Sequence, residues 1–128
     1  MWEAIRLTAL IHKGTTLDPT AVPAKTVLRM ATLGGAEALN LADKIGAIKV
    51  GLRADVIQVQ LTEPHLTPLY DVISHLVYAA DVQDVDTVIV DGQVLMYKRK
   101  MLTVDTDQIR LEANSIAENI KAELRPSN

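Results

Sequence analysis

The sequence predicts an α+β protein with helices first, a small meander of strands in the middle, and a helix at the end. Three observations predict it. Apolar residues recur at three- and four-residue spacing near both ends, the signature of helices with one covered face. Between them, Ile57, Val59 and Leu61 alternate with Gln58 and Gln60, as in a strand with one covered face. Farther on, Asp91-Gly92 separates two runs rich in β-branched residues, and Asp-Gly suits a two-residue hairpin turn in which both positions need positive φ.

Taken in order, Trp2 to Lys13 reads as a helix with Trp2, Ile5, Ala9 and His12 on one face and Gly14 as its stop. Nothing precedes it to cap it. Thr15 to Val22 is a loop holding Asp18-Pro19, and Pro23 suits the first position of a second helix, where proline loses no needed hydrogen bond. Val27, Met30 and Ala31 share a face of that helix, which reaches Gly34-Gly35. A short helical piece, Ala36 to Leu41, follows. Gly46 and Gly51 punctuate the entry to the strand at 54–61. Pro64 and Pro68 mark a loop, and Val72 to Ala80 is apolar with mixed period, either a short strand or an irregular helix. After the hairpin over 88–96, Asp105 with Gln108 resembles a capping box, and Ile109, Ala113, Ile116, Ile120 and Leu124 form a helical stripe closed by Pro126. Three or four strands cannot close a barrel, so the architecture is incomplete or belongs to a larger one.

Composition excludes several kinds of function. The chain has 128 residues and a formal net charge of -3, with no basic excess to neutralise phosphates, so a nucleic-acid partner is not expected. It contains no cysteine, which removes disulfides, thiol catalysis and thiolate metal sites. Neither a signal peptide nor an apolar run long enough for a membrane span is visible, and the expected compartment is the cytoplasm.

The chemistry-bearing residues do not assemble into a site. His12, His65 and His75 are the three histidines, and no two are spaced to hold a metal from one face. His12 belongs at a helix end, where a cation suits the dipole. His65 reads as a solvated loop residue, and His75 as a core histidine bonded to backbone. Asp81, Asp84 and Asp86 lack the glycine and terminal glutamate of a calcium loop and read as a solvated turn. Gly34-Gly35 has no phosphate-loop context, and close packing or a helix break explains it. Lys98-Arg99-Lys100 is a short exposed basic run. Ser74 beside His75 is no dyad, because neighbours on a strand face opposite ways. No catalytic, cofactor-binding or metal-binding residue is assigned.

Two stretches nevertheless resemble a known family. Ala31-Thr32-Leu33-Gly34-Gly35-Ala36-Glu37-Ala38-Leu39, followed by Ile45-Gly46-Ala47-Ile48-Lys49-Val50-Gly51-Leu52-Arg53-Ala54-Asp55, is similar to the A-T-x-x-G-A-x-A-L … G-x-I-x-x-G-x-x-A-D signature of the amidohydrolase superfamily. Ser74 to Ala80 and Val85 to Gly92 resemble the subgroup of 5-methylthioadenosine/S-adenosylhomocysteine deaminases and triazine chlorohydrolases. Arg53 stands where the family usually has lysine.

The resemblance implies a C-terminal portion of such a hydrolase, an incomplete amidohydrolase fold. Residues 1–43 would be the last helices of a (β/α)8 barrel, 44–104 the C-terminal strands of a composite β-sandwich, and 105–128 a terminal helix and tail. Gly34 and Gly35 would turn the chain off the barrel, Gly46 and Gly51 would form turns into the sandwich, and Asp55 would stabilise a turn. In such enzymes a divalent metal, zinc above all, is held by histidines and an aspartate, activates water against an amino-bearing ring carbon, and ammonia leaves. None of those ligands maps onto this chain, so no cofactor is expected on it alone. Its expected partner is the missing N-terminal barrel portion, and helices without their barrel predict homo-oligomers or partner-dependent folding. Two other readings are a self-associating or partner-binding module without catalysis, and one half of a split hydrolase.

Overall fold

The computed structural model describes residues 2–124. The predicted order holds at its ends, with helices first and a helix last, but in the four-stranded antiparallel sheet between them a helix separates the first strand from the other three.

Helix α1 spans Trp2–Thr16. It runs straight through Gly14, where the sequence predicts a stop. Thr15 and Thr16 continue the helix by returning their hydroxyls to the carbonyls of Ile11 and His12, and the chain leaves the helix only at Leu17, with φ 55. Pro19 limits further extension, since the residue before proline is disfavoured in the α region. Ile5 and Ala9 are buried as the spacing predicts, whereas His12 is exposed.

Pro23 is the N-cap of α2, Ala24–Arg29, one position earlier than predicted. Beyond α2 lies the largest departure from expectation. Gly34 and Gly35 neither break the helix nor turn the chain, because their φ values are -62 and -63. Met30–Gly34 instead forms one π turn that leads directly into α3, Gly35–Ala38. A Cβ at Gly34 would lie 3.2 Å from the Arg29 carbonyl, so glycine here gives clearance inside a widened turn. The real stop is Asn40, with φ 56. Bonds from the Leu41 amide to Ala36 and from the Asn40 amide to Glu37 complete a Schellman cap. Gly46 then brings the chain back across α3. Its φ is +93, and an added Cβ would sit 2.7 Å from the Ala36 Cβ.

Strand β1 is Val56–Val59. Its register shifts between Gln58 and Val59, and this bulge inverts the predicted parity. Val56 is half-buried ahead of it and Val59 and Leu61 after it, while Ile57 is exposed. The loop that follows buries Leu66 within a 3-10 turn, Pro64–Leu66. Residues Val72–Tyr78 form α4, settling the mixed-period stretch as a helix. The Asp71 carboxylate caps it by accepting the Ser74 amide at 2.7 Å.

The hairpin is as predicted. β2 (Val85–Val90) and β3 (Gln93–Tyr97) flank Asp91 and Gly92, whose φ values are 50 and 79. A second two-residue turn, Lys98-Arg99, also has positive φ at both positions and leads to β4, Lys100–Met101. The basic run is thus exposed as expected, but it is a turn. All strand pairs are antiparallel, in the order β1-β2-β3-β4.

Helix α5, Thr106–Glu123, starts at Asp105, whose carboxylate accepts the amides of Asp107 and Gln108. Only half of the predicted capping box forms, because the Gln108 side chain donates to Glu112 and does not reach back. No α5 residue is buried. Pro126 lies outside the described residues.

The core joins α1, α2 and α4 through Ile5, Ala9, Ala24, Val27 and Val77. Two side chains of α1 tie it to the end of α4: the Trp2 indole donates to the Leu76 carbonyl at 2.8 Å, and Arg6 Nη2 to the Ala80 carbonyl at 2.6 Å. Carbonyls in a last helical turn lack intrahelical partners; Trp2 supplies one to Leu76, and Arg6 binds the carbonyl of Ala80 just beyond the helix.

Candidate functional site

The most developed polar arrangement lies where the helical unit meets the sheet. Asp84 ends the 3-10 turn Val82–Asp84 just before β2, and its side chain is only 2% exposed. Its Oδ2 accepts the Asp81 amide at 2.7 Å and lies 3.1 Å from His65 Nε2. Burial pushes the Asp84 carboxyl up. The Asp81 amide, the His65 bond and charge, and the Arg99 charge outweigh it and hold the acid below its ordinary value. The Asp84 carbonyl also accepts the Gln60 amide at 2.8 Å, so this one residue fastens β1, the 64–66 turn and the end of α4 together.

Asp84 does not belong to a solvated turn, although Asp81 is exposed. His65 is half-exposed but engaged on a buried carboxylate. The usable signal was Asp81-x-x-Asp84 before an apolar run, the spacing of a capping box, and both bonds of that box form. Arg6, Glu63 and Arg99 line the open cleft beside this pair, whose volume is ≈ 320 Å³. The Arg6 Nε is buried without a hydrogen-bond partner.

The other singled-out residues have structural roles. His75 has its Nδ1 2.9 Å from the Asp71 carbonyl and its Nε2 3.1 Å from the Pro68 carbonyl, so it is bonded to backbone as expected but is half-buried and not a core residue. Ser74, through its side chain first and its amide second, holds the Asp71 carboxyl below the usual range, and the amide donates to Asp71 Oδ1 at 2.7 Å. Asp55 accepts the Asp91 amide at 2.7 Å across 36 positions, fixing the β2–β3 turn to the approach of β1. That is the turn-stabilising role its motif implies. His12 stands apart from both other histidines on the exposed side of α1.

Among the described residues, no three His, Cys, Asp or Glu side chains are grouped so that they could hold a metal ion. His65 and Asp84 are two potential ligands without a third.

Residues 1–95 match the amidohydrolase family. This chain belongs to the amidohydrolase family. Among curated relatives, the 5-methylthioadenosine/S-adenosylhomocysteine deaminase of Syntrophobacter fumaroxidans is 50% identical over 113 residues, covering 88% of this chain and 26% of that protein. The 5'-deoxyadenosine deaminase of Methanosarcina acetivorans is 48% identical over 122 residues, covering 95% of this chain and 28% of its own length. Among solved structures, an adenosine deaminase from Xanthomonas campestris with bound zinc superposes with a TM-score of 0.87 at 37% identity, over 95% of this chain and 28% of that one. The zinc complex of atrazine chlorohydrolase from Arthrobacter aurescens gives a TM-score of 0.77 at 28% identity, over 90% and 26%. This amidohydrolase chain therefore spans about a quarter of the length of the relatives it matches.

Zinc is recorded in both of those structures. The residues described here do not fit a zinc site, for lack of a third ligand near His65 and Asp84. What this part of an amidohydrolase does provide is a set of backbone fixtures. The π turn, Gly46, Asp55 and Asp84 each hold one segment against another. No helix among the described residues is long and apolar enough to cross a membrane.

Proposed function

We propose that this chain is the C-terminal portion of a metal-dependent hydrolase that removes an amino group from an adenosine-type heterocycle. The observation that carries the reading is the agreement of two comparisons: 50% identity to a deaminase of methylthioadenosine and S-adenosylhomocysteine, and a TM-score of 0.87 against a zinc-bound adenosine deaminase. Under this reading residues 1–43 are the terminal helices of a barrel. Residues 44–104 belong to the composite sandwich, with α4 returning to pack on α1 and α2, and residues 105–128 form an outer helix and tail. The metal ligands and the proton-transfer groups lie in polypeptide outside this chain, in a cytoplasmic enzyme. The role of these residues is to close and brace the fold.

The test is a fusion. The first three quarters of the Syntrophobacter fumaroxidans deaminase are joined to this chain in place of the matching segment. The fusion is expected to fold and to release ammonia from 5-methylthioadenosine or S-adenosylhomocysteine. A soluble, cooperatively folded fusion that releases none counts against the proposal.

A further inference from the structure

Asp91 is the one aspartate of the chain that is followed by glycine. In an unfolded peptide that pair is chemically labile. Glycine has no Cβ to shield its amide, so the Gly92 nitrogen can attack the side-chain carboxyl carbon of Asp91. A bond forms between that nitrogen and Cγ, a Cγ–O bond breaks, and the amide proton and the hydroxyl leave as water. Water then returns to the cyclic imide at either carbonyl. Opening at Cγ restores aspartate, whereas opening at the main-chain carbonyl routes the backbone through Cβ and Cγ as isoaspartate.

The fold leaves these reactants open to solvent and restrains them at the same time. The Asp91 side chain is 70% exposed, and a Cβ at Gly92 would meet nothing within 4 Å. Sterically, the turn is accessible. Positive φ at both positions makes it a type I′ turn, and ring closure needs the Gly92 nitrogen to swing out of it, by rotation about the Asp91 Cα–C bond. The two nitrogens that define this rotation are tied to one segment. The Asp91 amide donates to Asp55 Oδ1 at 2.7 Å, and the Gly92 amide donates to the Ala54 carbonyl at 3.1 Å. The first of these bonds has a carboxylate acceptor and is the stronger kind. Val90 pairs with Gln93 and closes the turn from behind.

We propose that Asp91-Gly92 is a site of spontaneous aspartate isomerisation gated by the fold, shut while Ala54-Asp55 holds the turn and open once that segment lets go. The proposal is independent of the hydrolase reading. Isoaspartate adds a carbon to the main chain of a two-residue turn, whose length sets the register of β2 and β3. The product therefore marks a chain in which the approach to β1 has come away from the hairpin.

The experiment incubates the purified full chain at constant temperature and near-neutral pH, with and without enough urea to unfold it. Isoaspartate at position 91 is followed by proteolysis, chromatographic separation of the two isomeric peptides and fragmentation across the Asp91–Gly92 bond. The unfolded chain is expected to accumulate it at least about tenfold faster than the folded chain, the effect of releasing two hydrogen bonds, one of them to a carboxylate. Without urea, Asp55→Ala should isomerise faster than the parent, and Asp55→Asn should keep part of the protection because its side-chain oxygen still accepts the Asp91 amide. Val77→Ala separates the local clamp from general loosening, since it weakens the helical core without touching the turn. With both variants folded by circular dichroism, it should isomerise at the parent's rate. No isoaspartate in urea, equal rates in the folded and unfolded parent, or Asp55→Ala no faster than the parent overturns the proposal. So does Val77→Ala as fast as Asp55→Ala, since protection would then belong to the fold at large.

Discussion

Helices α1 and α5 carry apolar stripes of the same kind, one near each end of the chain, yet only α1 has its stripe in a core. Ile5 and Ala9 of α1 are buried against Ala24, Val27 and Val77, whereas Ile109, Ile116 and Ile120 of α5 are all about half exposed. The difference lies in what returns to meet each helix. Helix α4, brought back by the loop after β1 and capped by Asp71, closes over α1 and accepts its Trp2 and Arg6 side chains. Nothing follows α5 among the described residues. Periodicity thus reports that a face is meant to be covered, and the topology decides whether this chain covers it.

A charge placed in each stripe should affect the two helices very unequally. Val77→Asp places a carboxylate beneath α1 with no partner and should cost about 4 kcal/mol or more, enough to abolish a cooperative urea transition. An unchanged transition would mean that the three-helix core is not what holds the chain together. At the joint between helices and sheet, Asp84→Asn should cost about 1 kcal/mol at neutral pH, since the amide holds the His65 and Asp81 bonds less well than a carboxylate. The pH dependence has a definite sign. The folded-state acid is lowered from 3.8, so its contribution is fully present above that value and is lost as pH falls through the lower folded value. Urea midpoints of the parent should therefore fall in acid more steeply than those of Asp84→Asn. Parallel curves would remove Asp84 as the fastener. Asp18 and Asp71 are lowered too, by Thr20 and Ser74, so some acid sensitivity remains in the variant. The smallest effect is expected on α5. Ile116→Asp should change stability by less than about 0.5 kcal/mol in this chain, and a larger loss by the same urea titration would show that α5 packs on something.

The sequence showed the fold class, the Asp91-Gly92 hairpin and the two terminal helices, because each rests on a local rule that the rest of the chain does not override. It was less informative wherever the backbone departs from a regular period. The bulge after Gln58 moved the covered parity from Ile57 to Val56, and an alternating pattern cannot display an extra residue. Gly34-Gly35 looked like a break because glycine usually marks one, yet its use here is clearance in a π turn. The turn at Lys98-Arg99 has positive φ without glycine or asparagine, so composition gave it no mark. As for the site, Asp81-x-x-Asp84 was readable as a cap, but its contact with His65, 19 positions away, follows only from the folded loop. The family signature was fully legible, since Ala31 to Asp55 is one contiguous stretch of caps, close approaches and turns whose residue types are fixed by backbone geometry.

The proposed function places the metal ligands in polypeptide outside this chain. The direct measurement is elemental analysis of the purified chain after equilibration with zinc and exhaustive dialysis, alongside an ammonia assay on adenosine derivatives. Zinc at background and no ammonia are expected. Stoichiometric zinc, especially zinc lost on His65→Ala or Asp84→Ala, would contradict the proposed function and place a metal centre at the joint between helices and sheet.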